Sequence, residues 1–135
     1  MRAVIDTNVL ISAIFWPGKP KQLLNQVRRG QVIFLTSEVL LAELKEVLTR
    51  QDKPFRLSEE DAQRVLSSVR DLAEIVQTHS AVTICRDADD NRVLECAIDG
   101  GANRIVTGDG HLLELGFFNG IEIVTVADFL STLTS

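Results

Sequence analysis

Short runs of β-branched and apolar residues alternate with longer amphipathic runs along the whole chain. Residues 2–6, "RAVID", read as a buried strand. "NVLISAIF" (8–15) predicts a short helix that stops before Pro17-Gly18, and "KQLLNQVRRG" (21–30) predicts a helix closed by Gly30. "VIFLT" (32–36) reads as a second buried strand. "SEVLLAELKEVLTR" (37–50) is strongly amphipathic, with Ser37 placed to cap it. After the proline-containing loop 51–57, the stretch 58–73 opens with a Ser58…Asp61 pair like a capping box. It carries Ala62, Val65, Leu66, Val69, Leu72 and Ala73 at helical spacing.

"EIVQT" (74–78) and "VTI" (82–84) predict extended chain. Residues 88–99 predict a helix that ends at Gly100-Gly101. "RIVT" (104–107) is then a strand, "GHLLEL" (110–115) a helical turn and "IEIVTV" (121–126) a strand, and Thr125 caps a last helix through "ADFLSTL" (127–133). Short strands alternating with helices predict an α/β domain with a parallel sheet covered on both faces. No repeat or linker divides the chain, so one domain spanning residues 1–135 is expected. In such sheets ligands bind at the carboxyl ends of the strands, where the strand order reverses.

Two acids stand at predicted strand ends: Asp6 in "VIDTNVL", and Asp109 just after "RIVT". Helical phase separates the others. With Leu40 at 0° and about 100° per residue, Leu44, Val47 and Leu48 define the apolar stripe of helix 38–49, and Glu43 falls on its shoulder at about −60°. Glu46 and Glu38 fall away from the stripe. With Asp90 at 0°, Val93, Leu94, Ala97 and Ile98 surround it, whereas Asp89 points outward at about −100°. Asp87 precedes the helix as a cap. An inward carboxylate needs a partner, because burying it alone costs several kcal/mol. For Glu43 an internal salt bridge is the alternative to a cation, and for Asp6 the alternative is helix capping. Asp6, Glu43, Asp90 and Asp109 form an oxygen-only donor set with no His or Cys cluster, which suits a hard cation such as Mg²⁺ or Mn²⁺. One or two such ions could bridge a phosphodiester and activate a water.

These segments resemble the PIN-domain nucleases, and within them the VapC-like toxins of bacterial toxin–antitoxin systems. "VIDTNVLISA", "SEVLLAELKEVL" and "DADDNRVLECAIDGGANRIVTGDGHLL" carry the resemblance, in order and along the full chain. It implies a three-layer α/β/α domain with a central parallel sheet of about five strands. In that fold the first and fourth strands are neighbours. It also implies an endoribonuclease whose four acids bind Mg²⁺ or Mn²⁺, leaving 3′-hydroxyl and 5′-phosphate ends. Asn8 and Thr107 would orient carboxylates or waters, with Asp87 beside them; capping for Asn8 and strand-end packing for Thr107 are the alternatives. An RNA substrate, a cognate antitoxin and a homodimer are the implied partners. A non-catalytic scaffold that retains the acids, and a structure-specific DNA nuclease, stay open as other readings.

Charge adds one detail. The net charge is −5, yet residues 7–37 hold no acid and carry Lys19, Lys21, Arg28 and Arg29. A basic rim beside an acidic site is what a polyanion would need, and Lys19, Lys21, Arg50, Lys53 and Arg56 are candidate phosphate contacts. Trp16 could stack on a base; packing at a helix end is its alternative. His111 could touch a phosphate or serve only at a helix start, and His79 should be exposed. Cys85 and Cys96 lack metal-type spacing and read as reduced thiols in or near the core. No apolar run approaches the ~20 residues of a membrane span. "MRAVID" shows no leader pattern, so a cytoplasmic protein with no membrane partner is expected. A receiver domain would need an acceptor Asp where "EIVQTHS" stands and a Lys near the end of "IEIVTVAD". Dinucleotide-binding and P-loop glycine motifs are absent.

Overall fold

The structure is a computed structural model that describes residues 1–134. Its elements run β1 (Arg2–Ile5), α1 (Thr7–Phe15), α2 (Lys19–Arg28), β2 (Ile33–Thr36), α3 (Glu38–Thr49), α4 (Glu59–Leu72) and β3 (Ala73–Ile75). They continue with α5 (Ala88–Asp99), β4 (Arg104–Val106), α6 (Gly110–Leu115), β5 (Phe117–Phe118), β6 (Ile121–Val124) and α7 (Val126–Thr134). The sheet order is β3-β2-β1-β4-β6-β5. All pairings are parallel except β5 with β6. The expected count of about five strands is met by the parallel part of the sheet, and the antiparallel β5 makes a sixth strand. Asn119 and Gly120 both have positive φ (50° and 79°), which closes Phe117–Phe118 onto Ile121–Glu122 as a two-residue hairpin.

Alternation along the strands divides the core in two. Ala3, Ile5, Phe34 and Val106 face the layer of α1, α2, α4 and α7. Val4, Leu35, Ile105 and Ile123 face α5 and α6. Helix α3 joins the first layer through Leu41, Leu44, Val47 and Leu48, and reaches the second through Leu40. This is the three-layer α/β/α arrangement. The caps form as their residues dictate. Ser37 Oγ accepts from Leu40 N at 3.3 Å, Ser58 Oγ from Asp61 N at 3.1 Å, and Thr125 Oγ1 from Asp128 N at 3.2 Å. Cys96 is fully buried and Cys85 half-buried, both as free thiols. Among the described residues, no helix is long and apolar enough to cross a membrane.

Two predicted strands come out differently. The segment "EIVQT" is extended only to Ile75, with one further ladder bond from Val76 N to Thr36 O (2.7 Å). "VTI" (82–84) joins no strand. The chain from 77 to 87 instead lies as a strap along α5, held by side chains of that helix. Asp99 accepts from the N–H groups of His79 and Ser80, Glu95 accepts from Val82 N at 2.8 Å, and Asn91 accepts from Cys85 N at 2.9 Å while donating back to Cys85 O. These bonds pull the Asp99 carboxyl down to about 2, chiefly through Ser80. They also explain how Asn91 and Glu95 come to be buried on α5.

Gly100 marks where this strap, α5 and the sheet come closest. A Cβ there would stand 2.8 Å from Val76 Cγ2, 2.9 Å from the Cys96 carbonyl oxygen and 3.1 Å from Leu35 Cδ1. Gly100→Ala is therefore expected to lower stability by about 1–3 kcal/mol through overpacking. An unchanged urea midpoint would show that this close approach does not exist in solution.

Candidate active site

The strand order reverses between β1 and β4, whose register sets Ile5 opposite Val106. One residue further on, Asp6 N donates to Val106 O at 3.0 Å and Thr107 N donates to Val124 O at 3.0 Å. The ladder thus carries Asp6 and Thr107 side by side to the carboxyl edge of the sheet. Thr107 Oγ1 donates to Asp6 Oδ2 at 2.7 Å and accepts from Asp109 N at 3.0 Å. Strand-end packing alone does not describe Thr107, because its hydroxyl ties two acids together. Asp6 occupies the cap position of α1, but its side chain makes no capping bond.

Helices bring the other acids to the same place. Asp6, Glu43, Asp90 and Asp109 line one cavity of about 200 Å³. Asp90 is 7% exposed and Asp6 8%, whereas Asp89 is exposed, as the helical phase requires. Asp87 caps α5 through Asp89 N at 2.9 Å, and Asp109 caps α6 through His111 N at 2.7 Å. Among the described residues, none of the four acids forms an ion pair, so the salt-bridge alternative for Glu43 is not realised. Asn8 lines the cavity and is exposed.

The wall extends beyond the residues that helical phase turns inward. Glu46 and Asp89 also line the cavity. Phase measured against the apolar stripe locates the core, whereas this cavity opens beside the stripe. Glu46 lies one turn from Glu43 and flanks the same opening. Arg50 is the one cation in the wall, and it pairs with Glu46 at 3.3 Å. The other proposed phosphate contacts lie elsewhere. Lys21 lines a separate cavity between α1, α2 and α4, and Lys19 is exposed at the start of α2. Lys53 and Arg56 sit on the loop after α3, which Phe55 pins by stacking on Phe15 (centroids 4.8 Å apart). Trp16 packs edge-on against Phe15 and Phe55, so it closes a helix end.

The electrostatics follow from crowding. Burial pushes the Glu43 carboxyl up to about 7, reinforced by the charges of Asp89, Asp6, Asp87 and Asp90. Burial also pushes Asp90 up to about 6, with Asp109 and Asp87 adding to it. Asp6 is raised by burial, partly offset by the Thr107 hydroxyl and the Thr7 N–H. Among the described residues, no three His, Cys, Asp or Glu side chains are already drawn into coordination geometry. Oxygen donors of one sign, without a counter-cation, repel one another, and the Asp90 carboxyl, in hydrogen-bond contact with that of Asp109, is raised further by it. Their chemistry fits a hard divalent ion that would draw them in.

Comparison with known proteins gives a family and a fold. The family model described as PIN domain matches residues 2–111. An uncharacterized protein of Methanocaldococcus jannaschii is 30% identical over 117 residues, which cover 85% of this chain and 75% of that one. The crystal structure of VapBC2 from Rickettsia felis, bound to a DNA fragment from their promoter, matches with a TM-score of 0.65 at 18% identity, over 93% of this chain and 98% of that chain. PAE2754 from Pyrobaculum aerophilum matches with a TM-score of 0.64 at 17% identity, over 99% of this chain and 90% of that chain. At such identities the two structures bear on the fold.

The raised carboxyls predict a pH dependence. Glu43 and Asp90 bind protons more tightly folded than unfolded, so without metal they cost nothing below pH ~4 and destabilise increasingly as pH rises toward ~7. Glu43→Gln should therefore leave the melting temperature in EDTA nearly unchanged at pH 4. At pH 7.5 it should raise stability by on the order of 2 kcal/mol, or roughly 5 °C. A variant less stable than the native chain at both pH values would show that Glu43 is not crowded by like charges.

Proposed function

The chain belongs to the PIN-domain family, whose members are generally nucleases that use divalent metal ions, and from that premise we propose that it is a metal-dependent endoribonuclease. One observation carries this reading. Four carboxylates from four separate segments, none in an ion pair among the described residues, line one cavity at the edge of the sheet where the strand order reverses. Asp6, Glu43, Asp90 and Asp109 would hold one or two Mg²⁺ or Mn²⁺ ions. A cation bound there supplies Lewis-acid charge at a phosphodiester and lowers the pKa of a water.

The chain's own residues fix the positions. Thr107 holds the Asp6 carboxylate and the Asp109 backbone together, so those two acids do not turn independently. Asp109 gives one oxygen to the start of α6, which sets the plane of its carboxylate. Asp87 does the same for α5 and keeps Asp90 in the first helical turn. Arg50 at the rim, paired with Glu46, would offer a cation to the incoming phosphate chain in a wall whose other charged residues are acids.

The fold shared with VapBC2, a pair crystallised together on promoter DNA, supports a toxin role with a cognate antitoxin. In this reading the protein acts on cytoplasmic RNA as a homodimer.

Purified protein is expected to cleave single-stranded RNA with Mg²⁺ or Mn²⁺, and EDTA should stop it. Asp6→Asn and Asp90→Asn should each abolish cleavage while leaving the circular dichroism spectrum intact, and Asp89→Asn should retain most activity. Silent Asp90→Asn beside inactive Asp89→Asn would reject this assignment of the acids. Cleavage of DNA flaps or ends alone, or no cleavage and no thermal shift with Mn²⁺, would reject the ribonuclease reading. Thr107→Val should lower the rate by roughly 10–100-fold and weaken metal affinity, as loss of an orienting partner does; an unchanged rate would confine Thr107 to packing.

A further inference from the structure

A second cavity, of about 500 Å³, adjoins the acid cavity and shares Asp87 and Asp90 with it as wall. Its other sides combine two kinds of group. Arg86 and His111 are polar and exposed, and Ile84 and Leu115 are apolar and 59% and 40% exposed. The volume falls in the range of about 300–1,000 Å³ that seats small-molecule-sized ligands.

Arg86, like Arg28, Arg29 and Arg56, is absent from the ion pairs among the described residues, but it alone of these four lines this cavity. Arg2, Arg50, Arg64, Arg70, Arg92 and Arg104 each face a carboxylate. Arg86 is followed closely by Asp87, Asp89 and Asp90, yet among the described residues it forms no ion pair. Its charge remains available beside a strongly anionic site. His111 donates its backbone N–H to Asp109, which fixes its Cα at the mouth while its ring lines this cavity. Arg50 stands in the wall of the acid cavity. A phosphodiester chain laid over the acids therefore meets an unpaired cation in the second cavity and one shared with Glu46 in the acid cavity.

We propose that the second cavity seats the nucleotide adjoining the bond that is cut, with Arg86 and His111 on its phosphate and Ile84 and Leu115 against its base. The inference rests on the nuclease reading above and adds to it the path of the strand. An unpaired base can lie against apolar side chains in this way, whereas a paired base is held in its stack, so the site favours single strands.

Two measurements test this apart from the acids. The first is steady-state cleavage of a single-stranded RNA oligonucleotide with saturating Mg²⁺. Arg86→Gln is expected to raise KM about tenfold with kcat nearly unchanged, and to lower the slope of log affinity against log salt by about 0.7, the loss of one phosphate contact. Arg86→Lys should restore the salt slope, and His111→Gln should raise KM about threefold.

The second measurement needs no cleavage. Cys85 lines this cavity, whereas Cys96 is fully buried with its thiol pushed up to about 12 by burial. Maleimide at pH 8.5 should therefore label Cys85 first. The RNA oligonucleotide, with Ca²⁺ in place of Mg²⁺, should slow that labelling in the native chain and not in Arg86→Gln. If the native chain cleaves RNA but the variants keep KM, salt slope and protection, the cavity proposal falls and the nuclease reading stands. If RNA protects Cys85 without ever being cleaved, the nuclease reading falls, and of the proposal only the nucleotide seat on Arg86 stands, with no cut bond beside it. A change of sedimentation coefficient in Arg86→Gln, without a change in RNA affinity, would assign the cavity to a contact between two copies of the chain and overturn the proposal.

Discussion

The constraint on which this structure turns is the confinement of like charges. Asp6, Glu43, Asp90 and Asp109 face one another across a small cavity with no cation among them, and each would be more comfortable in water. Their positions are imposed from behind. Asp6 follows a strand paired on both sides, Glu43 stands on a helix locked by Leu44 and Leu48, and Asp90 is on a helix buried along most of its circumference. The two halves of the core meet at this edge of the sheet, and their apolar packing opposes the repulsion. The carboxyls of Glu43 and Asp90 are raised by burial first and by their neighbours' charges second, a pressure that a cation among them would relieve.

The Thr107 hydroxyl makes a hydrogen-bonded bridge across the site itself. It donates to Asp6 and accepts from the backbone of Asp109, so one small side chain couples the ends of two adjacent strands. The coupling works because parallel pairing of β1 with β4 brings the two strands to the edge in register. A slip of one residue would turn Asp6 toward the other face and leave Thr107 without its partner.

Much of this was legible in the sequence, and what was not has physical reasons. Period and caps located every helix, and helical phase separated Asp90 from Asp89. The strand ends gave Asp6 and Asp109 before their neighbourhood was known. The family resemblance added that β1 and β4 are adjacent. The hairpin of β5 and β6 had a signal in "FFNGIE", where Asn-Gly fits a turn with two positive φ angles, but two-residue strands are too short for any alternation to show. The strap 77–87 had no periodicity to read, since its order comes from Asn91, Glu95 and Asp99 on a helix that follows it in sequence. Glu46 and Asp89 face away from the core as their phase requires and still line the cavity, because helical phase refers each residue to the core, and the cavity is not the core. Lys19 and Lys21 were grouped with the site by charge alone, and the fold carries Lys21 into a different cavity.

The strap has a consequence of a different kind. It brings Cys85, Arg86 and Asp87 to the site, yet it contributes no strand to the sheet and is fastened by four side chains of α5, Asn91, Arg92, Glu95 and Asp99. Its sequence between those fastenings can therefore drift without altering the strand register or the four acids. On the proposed reading, the four acids and the nucleotide contact of Arg86 would then sit on separate parts of the chain. Substitutions in the strap could change what is recognised and leave the acids in place, because the folding of the sheet does not consult that stretch.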